Sequence, residues 1–483
     1  MNIALNNEHY EYDVRSLVQS FYPGANALIK SLDAFREEGI EADIEITITN
    51  GEAEVAYKGE PPLLMMGGDC TTKEYKRAFK CFLYQTLSEH TGKKLPWGAL
   101  TGIRPTKIAM DLINHRVPDE RVLGILKENY LVSDEKAELC LEIAKREKSI
   151  LDTLTPEKGI SIYIGIPFCP STCLYCSFTS YPVRQYEKRM DEYLEALFKE
   201  IDYVRDELSG YTIDTIYIGG GTPTSLNPER LERLLSKLDE TFDLPALKEF
   251  TVEAGRADSI TREKLEVIRK YHANRISINP QTMKDETLKL IGRHHNSAQV
   301  VEAFHMAREL GFDNINMDLI LGLPGETAKD VTDTMEKLKE LDPDNITVHS
   351  LAIKRASKLG DFIRENGYDQ LNNTDETMQI ASQAARSLSM SPYYLYRQKN
   401  MSGNFENTGF AKEGKNGIYN ILIMEEVQTI VALGAGTVTK RVIQEDGVDG
   451  SCRIERCDNV KDVALYISKI DEMIDRKRVL FAD

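Results

Sequence analysis

The chain has 483 residues, 41% of them apolar, which suffices for two or three hydrophobic cores because one core seldom exceeds roughly 250 to 300 residues. Its 77 acidic side chains outnumber 60 basic ones, and the net charge of −17 disfavours electrostatic binding of nucleic acid or of an anionic membrane. The first residues lack the segments of a secretion signal and no apolar run reaches the ~18 residues of a membrane span, so we expect a cytoplasmic protein whose cysteines are thiols or metal ligands.

Residues 1–155 predict a separate α+β domain. The β-like runs DIEITIT and EVAYKG precede a helical run, KEYKRAFKCFLYQTLSEH, whose apolar residues are three and four positions apart. Cys81 lies on the apolar stripe of that helix, and we interpret it, like Cys70 and Cys140, as a small buried hydrophobe. Arg104 and Lys107 lead into another helix and indicate either a solvated helix start or an anion-binding site.

Residues 156–370 show a different pattern, in which short β-branched runs alternate with amphipathic helices. The runs are ISIYIGI, IDTIYIG, EFTVE, RISIN, NINMDLI and NITVHSL. Six βα units predict a parallel sheet of an α/β fold, and strands too apolar to alternate are expected when a barrel core covers one face and helices cover the other. Residues 371–483 form the predicted C-terminal domain, which we expect to be mainly helical.

Unusual residues fall at the ends of these six strands. Cysteines follow the first strand and GGGTPT the second, while the other four strands carry, in order, Glu253, Gln281, Asp318 and Ala352 at or near their ends. Because catalytic groups of α/β barrels collect at the carboxyl ends of the strands, we predict that these residues share one site.

Cys169, Cys173 and Cys176 stand close together in the stretch YIGIPFCPSTCLYCSF. An iron-sulfur cubane needs one ligand per iron, so three thiolates hold it and leave one iron open, as a catalytic zinc keeps an open position. A structural zinc is the alternative and needs four ligands; the other close pair, Cys452 and Cys457, suggests at most an auxiliary metal.

Two further groups give weaker signals. The run GGGTPT, residues 219–224, does not match G-x-G-x-x-G and lacks the lysine of a P-loop, so nicotinamide and nucleoside triphosphate sites are unsupported. It indicates either a tight strand-to-helix turn or a backbone that approaches a small zwitterion closely.

His294 and His295 are adjacent, so their side chains are expected to point apart and not to bind one metal jointly.

Together these residues resemble the radical S-adenosylmethionine (SAM) superfamily, whose signature is the C-x3-C-x2-C loop with an aromatic residue, here Tyr175. The segments YIGIPFC, IYIGGGTPT, INPQTM, IGRHH, INMDLILGLPGET and HSLAIKRAS resemble, more narrowly, the oxygen-independent coproporphyrinogen III oxidase family. LTGIRPTKI, VEAGRADSIT and YYLYRQKNMSGNFENTGF are similar to its HemZ-like branch of coproporphyrinogen dehydrogenases. This resemblance implies a partial (β/α)6 radical SAM barrel followed by a coproporphyrinogen-oxidase-like C-terminal domain.

The resemblance also implies the residues that hold the cofactors. It assigns a [4Fe-4S] cluster to Cys169, Cys173 and Cys176, and it assigns SAM to Tyr163, Tyr175, Gly220, Gly221, Thr222, Glu253 and Ala352. A second SAM site is implied at Gln281, Arg293 and Asp318. An arginine can pair with a carboxylate and an aspartate inside a barrel strand is costly unless paired, so a structural ion pair between Arg293 and Asp318 is the alternative.

The activity implied is that of an oxidoreductase of haem biosynthesis. An electron donor such as a flavodoxin or ferredoxin reduces the cluster, SAM is cleaved to a 5′-deoxyadenosyl radical, and two propionates of coproporphyrinogen III become the vinyl groups of protoporphyrinogen IX. Two positions depart from the family's oxidases, with Gly165 in place of a histidine and Phe178 in place of a fourth cysteine. The alternatives are therefore a haem-binding chaperone and a radical SAM enzyme that acts on haem.

Overall fold

The computed structural model of the chain describes residues 1–102, 104–155, 158–354, 356–398, 401–444 and 452–482. Its strands are β1 (Asn2–Leu5), β2 (Leu28–Lys30), β3 (Ile44–Thr49), β4 (Glu52–Tyr57), β5 (Leu63–Met65), β6 (Gly159–Ile166), β7 (Phe168–Cys169), β8 (Tyr181–Pro182), β9 (Thr212–Gly220), β10 (Glu249–Gly255), β11 (Arg275–Ile278), β12 (Ile315–Leu321), β13 (Asn345–Ser350), β14 (Ser391–Tyr396), β15 (Asn407–Ala411), β16 (Thr429–Leu433), β17 (Val438–Gln444) and β18 (Cys452–Asp458).

The α-helices alternate with these strands over most of the chain. They are α1 (Glu11–Phe21), α2 (Leu32–Glu37), α3 (Lys73–Thr91), α4 (Thr106–Asn114), α5 (Asp119–Tyr130), α6 (Asp134–Leu151), α7 (Val183–Tyr186), α8 (Met190–Glu207), α9 (Pro228–Thr241), α10 (Arg262–Lys270), α11 (Asp285–Leu290), α12 (Ser297–Glu309), α13 (Ala328–Leu341), α14 (Leu359–Asn366), α15 (Asp375–Ser387), α16 (Ile418–Glu425), α17 (Val463–Ser468) and α18 (Ile470–Phe481).

The chain forms two compact units. The first comprises Met1–Arg146 with Leu395–Asn407, and the second comprises Glu147–Tyr394 with Thr408–Asp483. The division into three domains at residues 155 and 370 stays a prediction. Within the helices that the structure describes, none is long and apolar enough to cross a lipid bilayer.

The first unit is built on a mixed sheet in the order β2-β1-β3-β4-β5. Strand β3 alternates buried isoleucines with exposed polar residues, as expected for a strand with one face on a core, and α1 and α3 contribute Phe21 and Phe79 to that core. Thr72 caps the start of helix α3, where its hydroxyl accepts from the Tyr75 N–H, and Gly92 follows the last helical residue in the left-handed conformation.

A buried polar cluster joins the segment Leu395–Asn407 to the rest of this unit. Glu406 accepts hydrogen bonds from Trp97 Nε1 and from Lys136 Nζ, both at 2.8 Å. Arg397 lies over the Trp97 ring, 5.7 Å from its centroid, and donates to the Leu100 carbonyl. Because each partner would be costly to bury alone, the cluster explains why a segment so late in the sequence packs with the N-terminal residues.

The second unit contains the predicted βα repeats. Strands β6, β9, β10, β11, β12 and β13 are adjacent and parallel, in chain order, and form the central part of a sheet that has eleven strands in the described residues. Their residues are buried almost throughout, as expected for strands whose two faces are both covered. Helices α8, α9, α10, α12 and α13 lie between consecutive strands of this set. The α/β fold class and the six strands are confirmed.

The C-terminal part continues this sheet at both edges. Strand β16 pairs in parallel with β6, and β17 and β18 extend that edge as an antiparallel pair. Strand β15 pairs antiparallel with β13, with β14 outside it. The segment predicted to be mainly helical therefore also supplies strands that lie directly beside the first and the last strand of the barrel.

A fully buried polar network fixes the loop between β16 and β17. Glu200 of α8 accepts from the Gly434 N–H at 2.7 Å and from the ammonium of Lys477 on α18 at 2.6 Å, while Asn459 bonds to both charged residues. All these groups are partnered, which a buried ion pair requires if it is to be tolerated. The network therefore holds the Gly434 loop rigidly against the end of β6.

Candidate active site

The three clustered cysteines lie on the loop that follows β6. Cys169 and Cys173 are buried and Cys176 is half-buried. The loop is held by the Leu174 N–H, which donates to the Ile291 carbonyl at 3.0 Å, and by the Ser171 hydroxyl, which donates to the Gly292 carbonyl at 2.8 Å. These bonds attach the cysteine loop to the turn after α11, so that both belong to one rim of the sheet.

The thiols face polar donors rather than water. The Thr222 hydroxyl lies 3.5 Å from Cys169 Sγ, and Arg256 Nη1 lies 3.8 Å from Cys173 Sγ. Burial raises the pKa of Cys169 to about 11 and also raises the pKa of Cys176. Cys169 and Cys176 therefore need a bound metal to become thiolates near neutral pH. The two donors are placed to stabilise the sulfurs of Cys169 and Cys173 once these carry charge.

The residues present fit an iron-sulfur cluster better than a single metal ion. Among the described residues, no three His, Cys, Asp or Glu side chains converge on one ion. A cubane places each thiolate on a different iron and therefore needs sulfurs that are farther apart. Three free cysteines on one loop would supply three such thiolates.

Arg256 is a residue that the sequence analysis missed. Its guanidinium pairs with Asp258 through two bonds of 2.7 and 3.0 Å, and Nη1 remains directed at Ser171 and Cys173. Burial alone would raise the pKa of Asp258, but the nearby His295 ring and the bonds from Arg256 outweigh it and hold that pKa well below its usual range. A stretch of the sequence, VEAGRADSIT, resembled the family, yet nothing in it indicated contact with a cysteine 83 residues earlier.

The two adjacent histidines point apart as predicted. His294 is exposed, whereas His295 is buried and its Nδ1 lies 3.5 Å from Asp258. The other cysteine pair lies on one strand. Cys452 and Cys457 are five residues apart on β18, an odd spacing that places their side chains on opposite faces, so these two thiols are not placed to bind one metal together.

The glycine run forms the turn after β9 and lies against the cysteine loop. The N–H groups of Gly221 and Thr222 donate to the carbonyls of Ile166 and Phe168, both at 2.8 Å. A Cβ at Gly221 would lie 2.7 Å from the Phe168 carbonyl oxygen and 3.0 Å from Cys169 Sγ. Gly220 has φ +106°, a conformation that favours glycine. This turn therefore requires glycines for space and for backbone conformation.

Three tyrosines stack in the barrel beside Glu253. The ring centroids of Tyr217 and Tyr419 are 4.6 Å apart, and Tyr163 lies 6.1 and 5.9 Å from those two rings. The Tyr217 hydroxyl donates to Glu253 Oε1 at 2.5 Å. Tyr163 and Glu253 were predicted for SAM, but Tyr217 and Tyr419 were missed; Tyr419 reaches the site from α16, more than two hundred residues along the chain.

The pKa of Glu253 makes its role testable. Burial raises this pKa to about 7, and the bond from Tyr217 opposes the increase. If the carboxylate binds SAM, affinity should rise with pH up to about 7 and fall about tenfold per pH unit below it. In Tyr217→Phe, which loses the opposing bond, the midpoint should move to higher pH.

The measurement is the dissociation constant of SAM against pH for the reconstituted protein. Glu253→Gln is the control, because its affinity should be weak and independent of pH. A wild-type affinity that stays constant between about pH 6 and 8 would contradict a SAM-binding carboxylate with this pKa.

The three residues predicted for a second SAM site occupy the same rim. Gln281 has φ +67° and bonds through its backbone to both Asp318 and Ile320, at 2.9 Å each. A non-glycine residue in the left-handed region is held there by its surroundings, which is typical of functional sites. No sequence pattern predicts this conformation of Gln281, because it depends on pairing with β12.

Arg293 and Asp318 have different partners. Arg293 donates to the Asn279 carbonyl and, at 3.3 Å, to the Tyr175 hydroxyl, and its buried Nε has no partner among the described residues. Asp318 accepts from Asn316 Nδ2 at 2.7 Å and lies 3.7 Å from His349 Nε2. The ion pair between Arg293 and Asp318 is not formed, so both retain groups that can bind a ligand.

Ala352 lies two residues beyond the end of β13, where the neighbouring Leu351 N–H donates to the Leu321 carbonyl at 3.0 Å. The predicted assignments of SAM contacts to individual residues stay predictions.

In the first unit, Lys107 lies in the first turn of α4, and the anion-binding alternative for Arg104 and Lys107 also stays a prediction.

Gly165 has no room for a side chain. A Cβ at Gly165 would lie 2.6 Å from Thr437 Cγ2, and the Thr437 hydroxyl, which donates to the Gly434 carbonyl at 2.7 Å, keeps that methyl in place. The space for a side chain at this position is therefore occupied by the C-terminal segment.

Gly165→Ala should consequently lower the free energy of unfolding by about 1–3 kcal/mol through overpacking. Adding Thr437→Ser removes the methyl but keeps the hydroxyl bond, so the double variant should recover most of the loss. Thermal or denaturant unfolding measures both values. Equal stability of Gly165→Ala and the wild type would show that the loop yields to a side chain.

The chain is similar to known proteins over most of its length. Residues 163–338 match the family model of the radical SAM superfamily. The chain is 39% identical over 448 residues to the oxygen-independent coproporphyrinogen-III oxidase-like protein HemZ of Bacillus subtilis (strain 168), a match that covers 90% of this chain and 88% of that protein.

Two other similarities are confined to part of the chain. The heme chaperone HemW of Bacillus subtilis (strain 168) is 39% identical over 195 residues, which cover 40% of this chain and 51% of the chaperone. The solved structure of coproporphyrinogen III oxidase (HemN) from Escherichia coli matches with a TM-score of 0.51 and 24% identity, over 68% of this chain and 72% of that one. The structural match shows a shared fold.

Proposed function

The chain belongs to the radical SAM superfamily and, within it, to the HemZ-like branch of the oxygen-independent coproporphyrinogen III oxidase family, and we propose that it oxidatively decarboxylates propionate groups of coproporphyrinogen III to vinyl groups. A family member of this kind uses a [4Fe-4S] cluster and SAM. The proposed product after two rounds is protoporphyrinogen IX, and the proposed electron donor is a flavodoxin or ferredoxin.

One observation carries the proposal, namely the extent of the similarity to HemZ. The match to the chaperone HemW covers 40% of this chain, whereas the match to HemZ covers 90% and therefore includes residues outside the shared barrel. A relative that is similar over nearly all of both chains is the better guide to the substrate.

The residues of the rim support this function through binding and positioning. Cys169, Cys173 and Cys176 would hold the cluster, which together with SAM supplies an organic radical able to remove a hydrogen atom from a propionate side chain. Arg256 would stabilise the negative charge on the sulfur of Cys173 from 3.8 Å. The glycine turn next to Cys169 would let the amino acid part of SAM approach the loop closely.

The interior of the barrel would orient the rest of SAM. Tyr163, Tyr217 and Tyr419 would form an aromatic wall beside SAM, and Glu253 is held by Tyr217 so that its other oxygen can accept from a ligand hydroxyl or amino group. The unpartnered Nε of Arg293 and the carboxylate of Asp318 would bind the second SAM or the substrate. Fixing these groups in advance lowers the entropic cost of reaching the reactive geometry.

The second candidate function is haem binding, either by a chaperone or by a radical SAM enzyme that acts on haem. It is favoured by Phe178, because an exposed aromatic ring next to the cysteine loop suits a flat, conjugated macrocycle. It is also favoured by the identity to HemW across the barrel.

An anaerobic assay distinguishes these functions. The reconstituted protein receives coproporphyrinogen III, SAM and a reductant, and chromatography follows the monovinyl intermediate and the divinyl product. Formation of both, in step with 5′-deoxyadenosine, supports the decarboxylase. Tight haem binding without a vinyl product would overturn that proposal in favour of the chaperone, and a SAM-dependent change in haem would favour the enzyme that acts on haem.

A further inference from the structure

Phe178 presents an apolar ring to solvent two residues beyond Cys176. Phe178 is 69% exposed, and two residues before it the Cys176 N–H donates to the Cys173 carbonyl at 3.1 Å. The loop beyond it is held where the Tyr181 N–H donates to the Pro167 carbonyl at 2.7 Å. The ring is therefore exposed from a segment that is bonded on both sides. A single exposed apolar residue is normal on a protein surface, so a binding site at Phe178 requires a second feature beside it.

Lys354 supplies that second feature. Its Nζ lies 5.4 Å from the centroid of the Phe178 ring, and the side chain is half-buried next to the loop of Cys176. No carboxylate of the described residues lies within ion-pair distance of this ammonium, although the chain as a whole carries a net charge of −17. An uncompensated cation and an exposed aromatic face thus meet beside a predicted cluster ligand.

We propose that Phe178 and Lys354 form the subsite that holds the substrate tetrapyrrole by one edge. In this arrangement a pyrrole ring lies on the exposed face of Phe178, and the ammonium of Lys354 pairs with a propionate carboxylate. Aromatic and conjugated rings stack on a phenyl face with an offset, and an ammonium forms its strongest hydrogen bonds with carboxylates. The inference rests on the proposed function and deepens it by naming the groups that recognise the substrate.

The subsite also gives a reason for the phenylalanine itself. A thiol at position 178 would offer neither a face for stacking nor an apolar surface that shields the ammonium from water. The phenyl ring does both, since Lys354 lies near it while most of the ring surface remains open to a ligand. Binding would thus place a propionate near Cys176, within the rim that gathers the predicted SAM contacts.

The test measures the affinity of the reconstituted protein for coproporphyrin III, the oxidised and fluorescent form of the substrate. Lys354→Met and Phe178→Leu should each weaken binding roughly tenfold, because one loses the charged hydrogen bond and the other loses the aromatic face. Lys289→Met is the matched control, since Lys289 is an exposed lysine at the end of α11 that also has no carboxylate partner in the described residues. Unfolding curves establish that the variants are folded.

A second ligand separates charge from stacking. The tetramethyl ester of coproporphyrin III has no carboxylates, so the wild type and Lys354→Met should bind it equally, whereas Phe178→Leu should bind it more weakly. Unchanged affinity for coproporphyrin III in both variants would overturn the inference. If these variants also accept electrons from flavodoxin more slowly than the wild type does, but from dithionite at the same rate, the surface is instead a docking site for the electron donor.

The vinyl-product assay keeps the two proposals distinguishable. If the wild type forms vinyl products and the variants bind and react as the wild type does, only the subsite is wrong. If the wild type forms no vinyl product, the proposed function fails, whatever the ratio of the affinities.

Discussion

Cys173→Ala is expected to remove the iron-sulfur cluster and all SAM cleavage above background. Cys173 is buried, its sulfur lies 3.8 Å from Arg256, and it shares one loop with the other two predicted ligands. With two thiolates left, the cubane loses a ligand on a second iron and is no longer held. Anaerobically reconstituted wild type should contain about four irons and four sulfides per chain, and the variant should contain almost none.

Cys452→Ala is the control for this experiment. Cys452 is half-buried on β18, outside the cysteine loop, so its variant should keep the full iron content and activity. Before reconstitution, the unfolding curves of Cys173→Ala and of the wild type should coincide, because the variant shortens only one small side chain. Stoichiometric zinc in the wild type, or full iron content in Cys173→Ala, would contradict the cluster assignment.

Gly221→Ala is expected to reduce SAM cleavage by about two orders of magnitude, because displacements near 1 Å in a positioned site cost about that much. The added Cβ would lie 2.7 Å from the Phe168 carbonyl oxygen, 2.9 Å from the Ile166 carbonyl oxygen and 3.0 Å from Cys169 Sγ. Two of these atoms belong to the backbone and cannot rotate away. The glycine turn and the cysteine loop must therefore separate.

The backbone angle of Gly221 is one that alanine accepts, so the loss would report lack of space alone. Gly210→Ala is the matched control, since Gly210 is exposed and a Cβ there meets no atom within 4 Å. SAM affinity, 5′-deoxyadenosine formation and iron content should be measured for both variants. Wild-type turnover in Gly221→Ala would show that the two loops are not in close contact in the working protein.

The sequence alone was sufficient for the features that depend on neighbouring residues. Six apolar, β-branched runs predicted β6, β9, β10, β11, β12 and β13, because a strand buried on both faces needs no partner to be recognised. The cysteine loop and the glycine turn were also found, since both are motifs of fewer than ten residues. Membership of the radical SAM superfamily, and with it the cluster and SAM, followed from these local patterns and is confirmed.

Only the tertiary structure decided which distant side chains meet at the rim. Arg256 reaches Cys173, Tyr419 stacks on Tyr217, and Thr437 occupies the space above Gly165. None of these contacts leaves a periodic or spaced signal, because each joins elements that are separate in sequence and come together only when the sheet forms. For the same reason the sequence left open whether Arg293 and Asp318 pair with each other. Their orientation is set by Tyr175, Asn279, Asn316 and His349, which lie on other strands and loops or at neighbouring positions of the folded sheet.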